Sequence, residues 1–295
     1  MSMTSKSPVK VLKEAYEVGR ATFDDYSHEY SPRKFTQPQL FACLILKAFF
    51  CMDYRGICEV LRDCTDFQRA IELTSVPHFT TLQKHSKELL RLPNARNLLE
   101  STLAKAKKRI HRVRLASIDS TGFESYHVSQ HFLHRKSQSG SPVFARFHAK
   151  LTVPCDCSTH LILALGTSRG PFPDSGGIHA LMKNQITKVD TLLADTGFDS
   201  EDNHQFLRTT CGVLSIIPPR IGRPTLKPAT GYYRRKMKYY FKRYGSTTSG
   251  QRWQVETVFS MIKRNFGSSL AARSTHGRYR ELALRALCHN IAINA

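Results

Sequence analysis

The sequence predicts an α/β protein, with a core of strands and helices in its C-terminal two thirds preceded by an all-α N-terminal segment. Three observations predict it. After residue 111, short alternating or wholly apolar runs are separated by helical stretches, in the order β-β-β-α-β-α-β-α. Two of those runs end in an aspartate followed by a small-residue turn, at Asp119 and at Asp195. Before residue 110 the apolar residues recur at helical spacing, and no alternating run interrupts them.

Taken in order, residues 40–50 form an apolar helix opened by Thr36 and Pro38. That stretch contains Lys47 and falls far short of the ~20 residues that span a bilayer, so it reads as a buried helix. Further helices are expected at 55–62 and 81–90. Pro77, His78, Phe79, Thr80 and Thr81 form a turn and cap before Leu82, Leu89 and Leu90. Such a pair is either a simple packing unit or the second half of a helix-turn-helix, in which Gln83, Lys84, His85 and Lys87 would face the major groove.

In the core, Val113, Leu115 and Ser117 alternate with Arg114, Ala116 and Ile118 in a strand that closes on Asp119, just before Ser120, Thr121 and Gly122. Residues 147–153 and 161–165 read as the next strands and 175–185 as a helix. The run 189–194 then leads into Asp195, Thr196 and Gly197, followed by a helix over 200–208 and a strand over 213–217. An aspartate after a strand is often only a turn former or a cap, and that reading accounts for Asp156 in a hairpin turn and for Asp174 and Asp199 as caps. The last core helix runs from 251 to 265. At about 100° per residue Arg252, Glu256 and Lys263 fall within roughly 40° of one another, with Val255, Val258, Phe259, Ile262 and Phe266 on the adjoining arc. By itself this stripe is either an ordinary i,i+4 ion-pair ladder or a carboxylate presented between two cations.

Together the acids suggest a divided divalent-metal site. Hard oxygen ligands suit Mg²⁺, which takes one or two carboxylates plus phosphate oxygens. Two such ions about 3.5–4 Å apart serve an in-line displacement at phosphorus. The motifs SIDSTGFES at 117–125, LLADTGFDS at 192–200 and RWQVETVFSMIKRNFG at 252–267 resemble the DDE transposases of bacterial insertion sequences. The last is similar to the Tyr-x2-Arg-x3-Glu-x6-Lys signature of insertion sequence families four and five, with Arg252, Glu256 and Lys263 at the required separations. Ser249 stands where the signature has tyrosine, and the nearest tyrosine is Tyr244. PHFTTLQKH at 77–85 and the ending LRALCHNIAI extend the likeness over most of the chain.

The resemblance implies a ribonuclease H-like catalytic core, a mixed five-stranded sheet flanked by helices, at 111–295. A helical DNA-binding domain at 1–110 would precede it, and a basic, aromatic-rich elaboration would lie at about 218–250. It implies Asp119, Asp195 and Glu256 as catalytic residues and ligands of Mg²⁺, with Mn²⁺ as a substitute. Arg252 and Lys263 would hold phosphates. The partner would be double-stranded DNA, as terminal inverted repeats and as target, bound by a homodimer on paired ends. The alternative is a decayed or recruited DNA-binding protein derived from a transposase, and Ser249 keeps it open.

Charge agrees with a polyanionic partner: 44 Lys and Arg against 23 Asp and Glu leave +21. Lys105, Lys107, Lys108, Arg109, Arg112 and Arg114 form one acid-free block, which a solvated face would also explain. The block at 218–250 interleaves Arg234, Arg235, Lys236 and Lys238 with Tyr232, Tyr233, Tyr239 and Tyr240, a pattern suited to following a backbone and stacking on unpaired bases. The eight cysteines include no CxxC pair, so neither a zinc site nor a disulfide framework is expected. His127, His131 and His134 are read as a polar loop rather than as ligands. The polar start of the chain predicts a cytoplasmic, nucleoid-associated protein with no membrane segment.

Overall fold

The computed structural model describes residues 4–107, 112–125, 148–170, 175–183, 187–219 and 231–295. The chain divides into two units, one of residues 1–109 with 261–295 and one of residues 110–260.

The first segment of unit 1 holds helices α1 (Pro8–Thr22), α2 (Gln37–Phe49), α3 (Tyr54–Asp63), α4 (Thr65–Ala70), α5 (Phe79–Leu89) and α6 (Leu92–Lys107). The expected helices at 40–50, 55–62 and 81–90 correspond to α2, α3 and α5. Helix α2 starts where the sequence places it because Thr36 and Gln39 form a reciprocal capping box. Every side chain from Leu40 to Leu46 is buried, as befits a helix that is apolar all round. Gly19 of α1 permits the close approach of α2, since a Cβ there would lie 2.9 Å from the Cα of Pro38.

Unit 2 holds the path β3-β2-β1-β4-β5 of a sheet that has six strands rather than the five expected: β1 (Val113–Ser125), β2 (Ala149–Asp156), β3 (Gly166–Arg169), β4 (Val189–Ala194) and β5 (Leu214–Ile216). β1 pairs antiparallel with β2 and parallel with β4, and β4 pairs parallel with β5. The helices are α7 (Ile178–Met182), α8 (Glu201–Thr209), α9 (Tyr232–Thr248) and the first half of α10 (Trp253–Phe266), whose residues from Met261 on group with unit 1. Nearly every residue of β2 is buried, including Leu151, Val153 and Cys155, so both faces of the sheet are covered there.

Three expectations need correction. β1 does not close on Asp119 but continues to Ser125, because its pairing with β2 persists to Phe123 after its pairing with β4 ends at Ile118. The strand expected at 161–165 is absent. The run 161–165 is mostly buried and meets β2 at a single bridge, Cys155–Ile162, flanked by hydrogen bonds from the Asp156 amide to the Leu161 carbonyl and from the Leu163 amide to the Pro154 carbonyl, while the continuous ladder with β2 is formed by the polar run Gly166–Arg169. The helix expected at 175–185 is shorter: a 3₁₀ turn at Ser175–Gly177 leads into α7.

The chain ends in α11 (Thr275–Asn294), whose Leu282, Leu287, Cys288 and Ile291 are buried. Asn290 and Asn294 donate to the hydroxyl and carbonyl of Thr102 at 3.1 and 2.9 Å. Residues 261–295 group with the N-terminal helices. Residues 282–292 of α11 are buried all round, Arg285, His289 and Asn290 among them, and the helix packs against α2 and α6. No helix among the described residues is long and apolar enough to cross a membrane.

Candidate active site

The register of β1 against β4 pairs Ile118 with Ala194, so Asp119 and Asp195 follow on neighbouring parallel strands, about 4.8 Å apart in such a sheet. Asp119 is part-buried. Its Oδ1 accepts from the Ser120 amide at 2.7 Å, and its Oδ2 lies 3.5 Å from Nη1 of Arg252. Asp195 is exposed and opens the 3₁₀ turn Thr196–Phe198, but its side chain makes no capping hydrogen bond. Its carboxylate is therefore not accounted for by a cap.

Glu256 sits in the first turn of α10. The helix is oriented by Val255, Val258 and Phe259, all buried, each contributing ~1.5–3 kcal/mol on full burial. The Arg252 Nη2 donates to Glu256 Oε1 at 2.9 Å, so one guanidinium joins Glu256 to Asp119. The i,i+4 pair foreseen in the sequence thus extends across to the sheet. Lys263, half-buried, follows in α10 among the residues grouped with unit 1.

As donors for a divalent cation these groups fit in kind: all are carboxylate oxygens, and Asp195 and Glu256 are open to solvent. They are not collected round one ion. Among the described residues no three His, Cys, Asp or Glu side chains could do so, and Arg252 provides the positive charge near two of them.

The start of α10 is braced by features that sequence reasoning missed. In the turn after β2, buried Asp156 accepts from Ser158 and Thr159. Beyond it His160, at φ 60°, has its Nε2 2.6 Å from Oε1 of Gln254, while Sγ of Cys157 approaches the Gln251 carbonyl at 3.8 Å. These partners lie 94 residues apart, and no local pattern announces them.

Asp199 corrects a sequence reading: it does not cap α8, whose N-cap is Ser200 bonding the Asn203 amide. It is instead a buried carboxylate, its side chain 2% exposed, holding Arg234 and His204. Arg234, expected to face DNA, thus has its guanidinium engaged within the protein. Asp174 and His127, His131 and His134 lie outside the described residues.

Elsewhere on α9, Arg235, Lys236 and Lys238 are exposed, as are Tyr232 and Tyr239. Tyr240 is not open in the same way: Arg208 lies over its ring at 4.9 Å and Tyr244 stacks on it at 6.1 Å. In the first basic block Lys105 pairs with Glu14 and Glu17, and Arg112 with Asp190, so those two cations are partly neutralised. Gln83 and Lys84 are exposed on α5, whose Leu82, Ser86 and Leu89 face inward. All eight cysteines are unpaired, and burial pushes Cys43 and Cys155 up to about 12.

Asp119 within β1, Asp195 just after β4 and Glu256 on α10 thus form an acidic group in which Arg252 links Asp119 to Glu256. Comparison with protein families matches residues 111–291, more than half of the chain, to the family described as Transposase DDE domain. The chain belongs to that family, and with it to the proteins of DNA transposition and recombination. Membership implies DNA as the partner, and the family generally uses a divalent metal. A search of the curated proteins returns no match.

Proposed function

We propose that the chain is the transposase of a bacterial insertion sequence of families four and five, with Asp119, Asp195 and Glu256 as its catalytic carboxylates on a ribonuclease H-like core. It would bind the terminal inverted repeats as a homodimer on paired ends and cleave a phosphodiester at the element's end. The freed 3′-hydroxyl would then be joined to target DNA in the cytoplasm, on the nucleoid. The observation that carries this reading is the adjacency of Asp119 and Asp195 on parallel strands, with Glu256 tied to Asp119 through Arg252.

Asp119 and Asp195 would hold Mg²⁺, or Mn²⁺ in its place, and Glu256 would complete the set. When bound, the metal activates the attacking oxygen and relieves charge on the departing one. The chain's residues do the rest. The pairs Arg252 makes are part-exposed, and such pairs contribute only ~0–1 kcal/mol, so its guanidinium can exchange carboxylates for a DNA phosphate as a bidentate donor. Lys263 supplies a point charge. Arg235, Lys236 and Lys238 follow the backbone, and Gln83 and Lys84 read the repeats from the major groove.

The test is Mg²⁺-dependent cleavage of DNA carrying the element's own inverted repeats. Asp119→Ala, Asp195→Ala and Glu256→Ala should each abolish cleavage and leave binding largely intact; cleavage persisting in all three ends the proposal. Binding without cleavage by the unaltered protein would favour the decayed, DNA-binding alternative that Ser249 raises.

A further inference from the structure

We propose that Asp199, Glu201 and Arg234 form a clip tying the basic helix α9 to the turn that carries Asp195, and that through it Asp199 and Arg234 act as positioning residues for cleavage. The inference rests on the function proposed above.

The clip has two halves. Arg234 donates from Nε and Nη2 to the two oxygens of Asp199, at 3.1 and 2.5 Å. The Asp199 Oδ1 also lies 3.1 Å from His204 Nε2, whose Nδ1 is 2.8 Å from the Ser215 hydroxyl on β5. Glu201 accepts the backbone amides of Tyr233 and Arg234 through its two oxygens, each at 2.9 Å. It thereby satisfies amide donors that the first turn of a helix otherwise leaves open. Gly231 makes room for this: a Cβ there would fall 1.8 Å from Glu201 Oε2.

At the other end Asp199 is locked to the site. The Phe198 amide bonds the Asp195 carbonyl at 2.9 Å and the Asp199 amide bonds Thr196 at 3.1 Å, so one tight turn separates the two aspartates. A carboxylate buried to this degree is costly unless paired in good geometry, and a guanidinium fork fixes direction as well as distance. The clip therefore joins two elements with separate tasks: α9, whose outward cations follow DNA, and the turn that presents Asp195. Seating α9 on a phosphate backbone would fix the turn, and loosening the clip would let Asp195 drift. Misplacement by about 1 Å can cost ~100-fold in rate.

The experiment uses the full chain with Asp199→Asn, Arg234→Gln, Arg234→Lys and Gly231→Ala, the last displacing only the Glu201 carboxylate. Single-turnover cleavage is read at saturating inverted-repeat DNA with Mg²⁺, together with DNA affinity against salt. Hydrogen exchange of the 196–199 amides is read with and without DNA. Expected are a loss in rate of ~10-fold or more for Asp199→Asn and Arg234→Gln, partial recovery with Arg234→Lys, and an unchanged salt slope. DNA should protect the 196–199 amides in the unaltered protein and fail to do so in Asp199→Asn; Gly231→Ala should give the same trend more weakly, and serves if a buried-charge variant does not fold. Wild-type rates in all variants, or turn amides indifferent to DNA in the unaltered protein, overturn the clip. A salt slope that falls by about one in Arg234→Gln also overturns it, because Arg234 would then be a phosphate contact. An unaltered protein that shows DNA-linked protection but never cleaves sinks the transposase reading, and with it the role in cleavage, and leaves the tie between α9 and the turn standing.

Discussion

Arg252 is where the electrostatics of the site can be perturbed with opposite consequences for two measurements. Its guanidinium stands 3.5 Å from Asp119 and 2.9 Å from Glu256, so on the proposed function it competes, without DNA, for the carboxylates that would hold a divalent cation. Replacing it by glutamine removes that competitor. A unit charge about 5 Å from a dication costs ~1.7 kcal/mol even in water's dielectric, roughly a 15-fold effect on affinity. Arg252→Gln should therefore bind Mg²⁺ about tenfold more tightly than the unaltered protein in the absence of DNA. Fold stability should move by under about 1 kcal/mol, because both pairs are part-exposed. Calorimetric titration of the DNA-free chain with Mg²⁺ measures the first quantity, with Asp119→Ala as the control that loses the site, and urea unfolding measures the second. Cleavage of inverted-repeat DNA should nevertheless fall, since the bidentate phosphate donor is gone. Magnesium affinity unchanged or weakened in Arg252→Gln would refute the argument that this cation stands in for the metal's charge.

The exposed cations of α9 give a second prediction: Arg235→Ala, Lys236→Ala and Lys238→Ala combined should weaken DNA binding and reduce the slope of log affinity against log salt by about 2–3, whereas an unchanged slope would remove α9 from the DNA contact. Alkaline pH gives a third. Burial pushes the Cys43 and Cys155 thiols up to about 12, while in the unfolded chain they ionise near their ordinary value. The folded chain therefore retains protons that the unfolded chain has released. Stability should be full below about pH 8.5 and fall as pH climbs toward 12, by about 1.4 kcal/mol per pH unit for each thiol. Urea unfolding under reducing conditions at several pH values checks this, and Cys155→Ala should remove that residue's share of the slope; a slope unaffected by the substitution would mean the thiol is not the group responsible.

What was legible in the sequence was what depends on near neighbours. Thr36 and Pro38 announce α2 because a cap acts within one turn, and the buried face of α10 follows from its period. Asp119 and Asp195 could be paired because each ends an apolar run, although only the register of β1 on β4 puts them side by side. Periodicity reports burial, not hydrogen-bond partners. The run 161–165 is buried as its composition demands, yet it adds only one bridge to β2, because Pro154 opposite Leu163 has no N–H to carry the ladder on, and the continuous ladder belongs to the polar Gly166–Arg169. The same limit explains the brace of His160 on Gln254 and the hold of Asp199 on Arg234, both made between elements distant in sequence.

The two aspartates at 195 and 199 make the physical point most sharply, because sequence alone gives them one turn and one set of possible roles. In the structure one is exposed with no cap bond, and the other is sealed among an arginine and a histidine. A carboxylate that must receive a hydrated cation has to keep its solvent access, whereas one that fixes two elements must lose it and be paired. Exposure is thus the variable that divides a candidate ligand from a structural anchor here. It selects Asp195 over Asp199 without reference to the family, and it requires that substitution at the two positions fail differently: Asp195→Ala by losing cleavage with the fold intact, Asp199→Asn by slowing cleavage while loosening the fold.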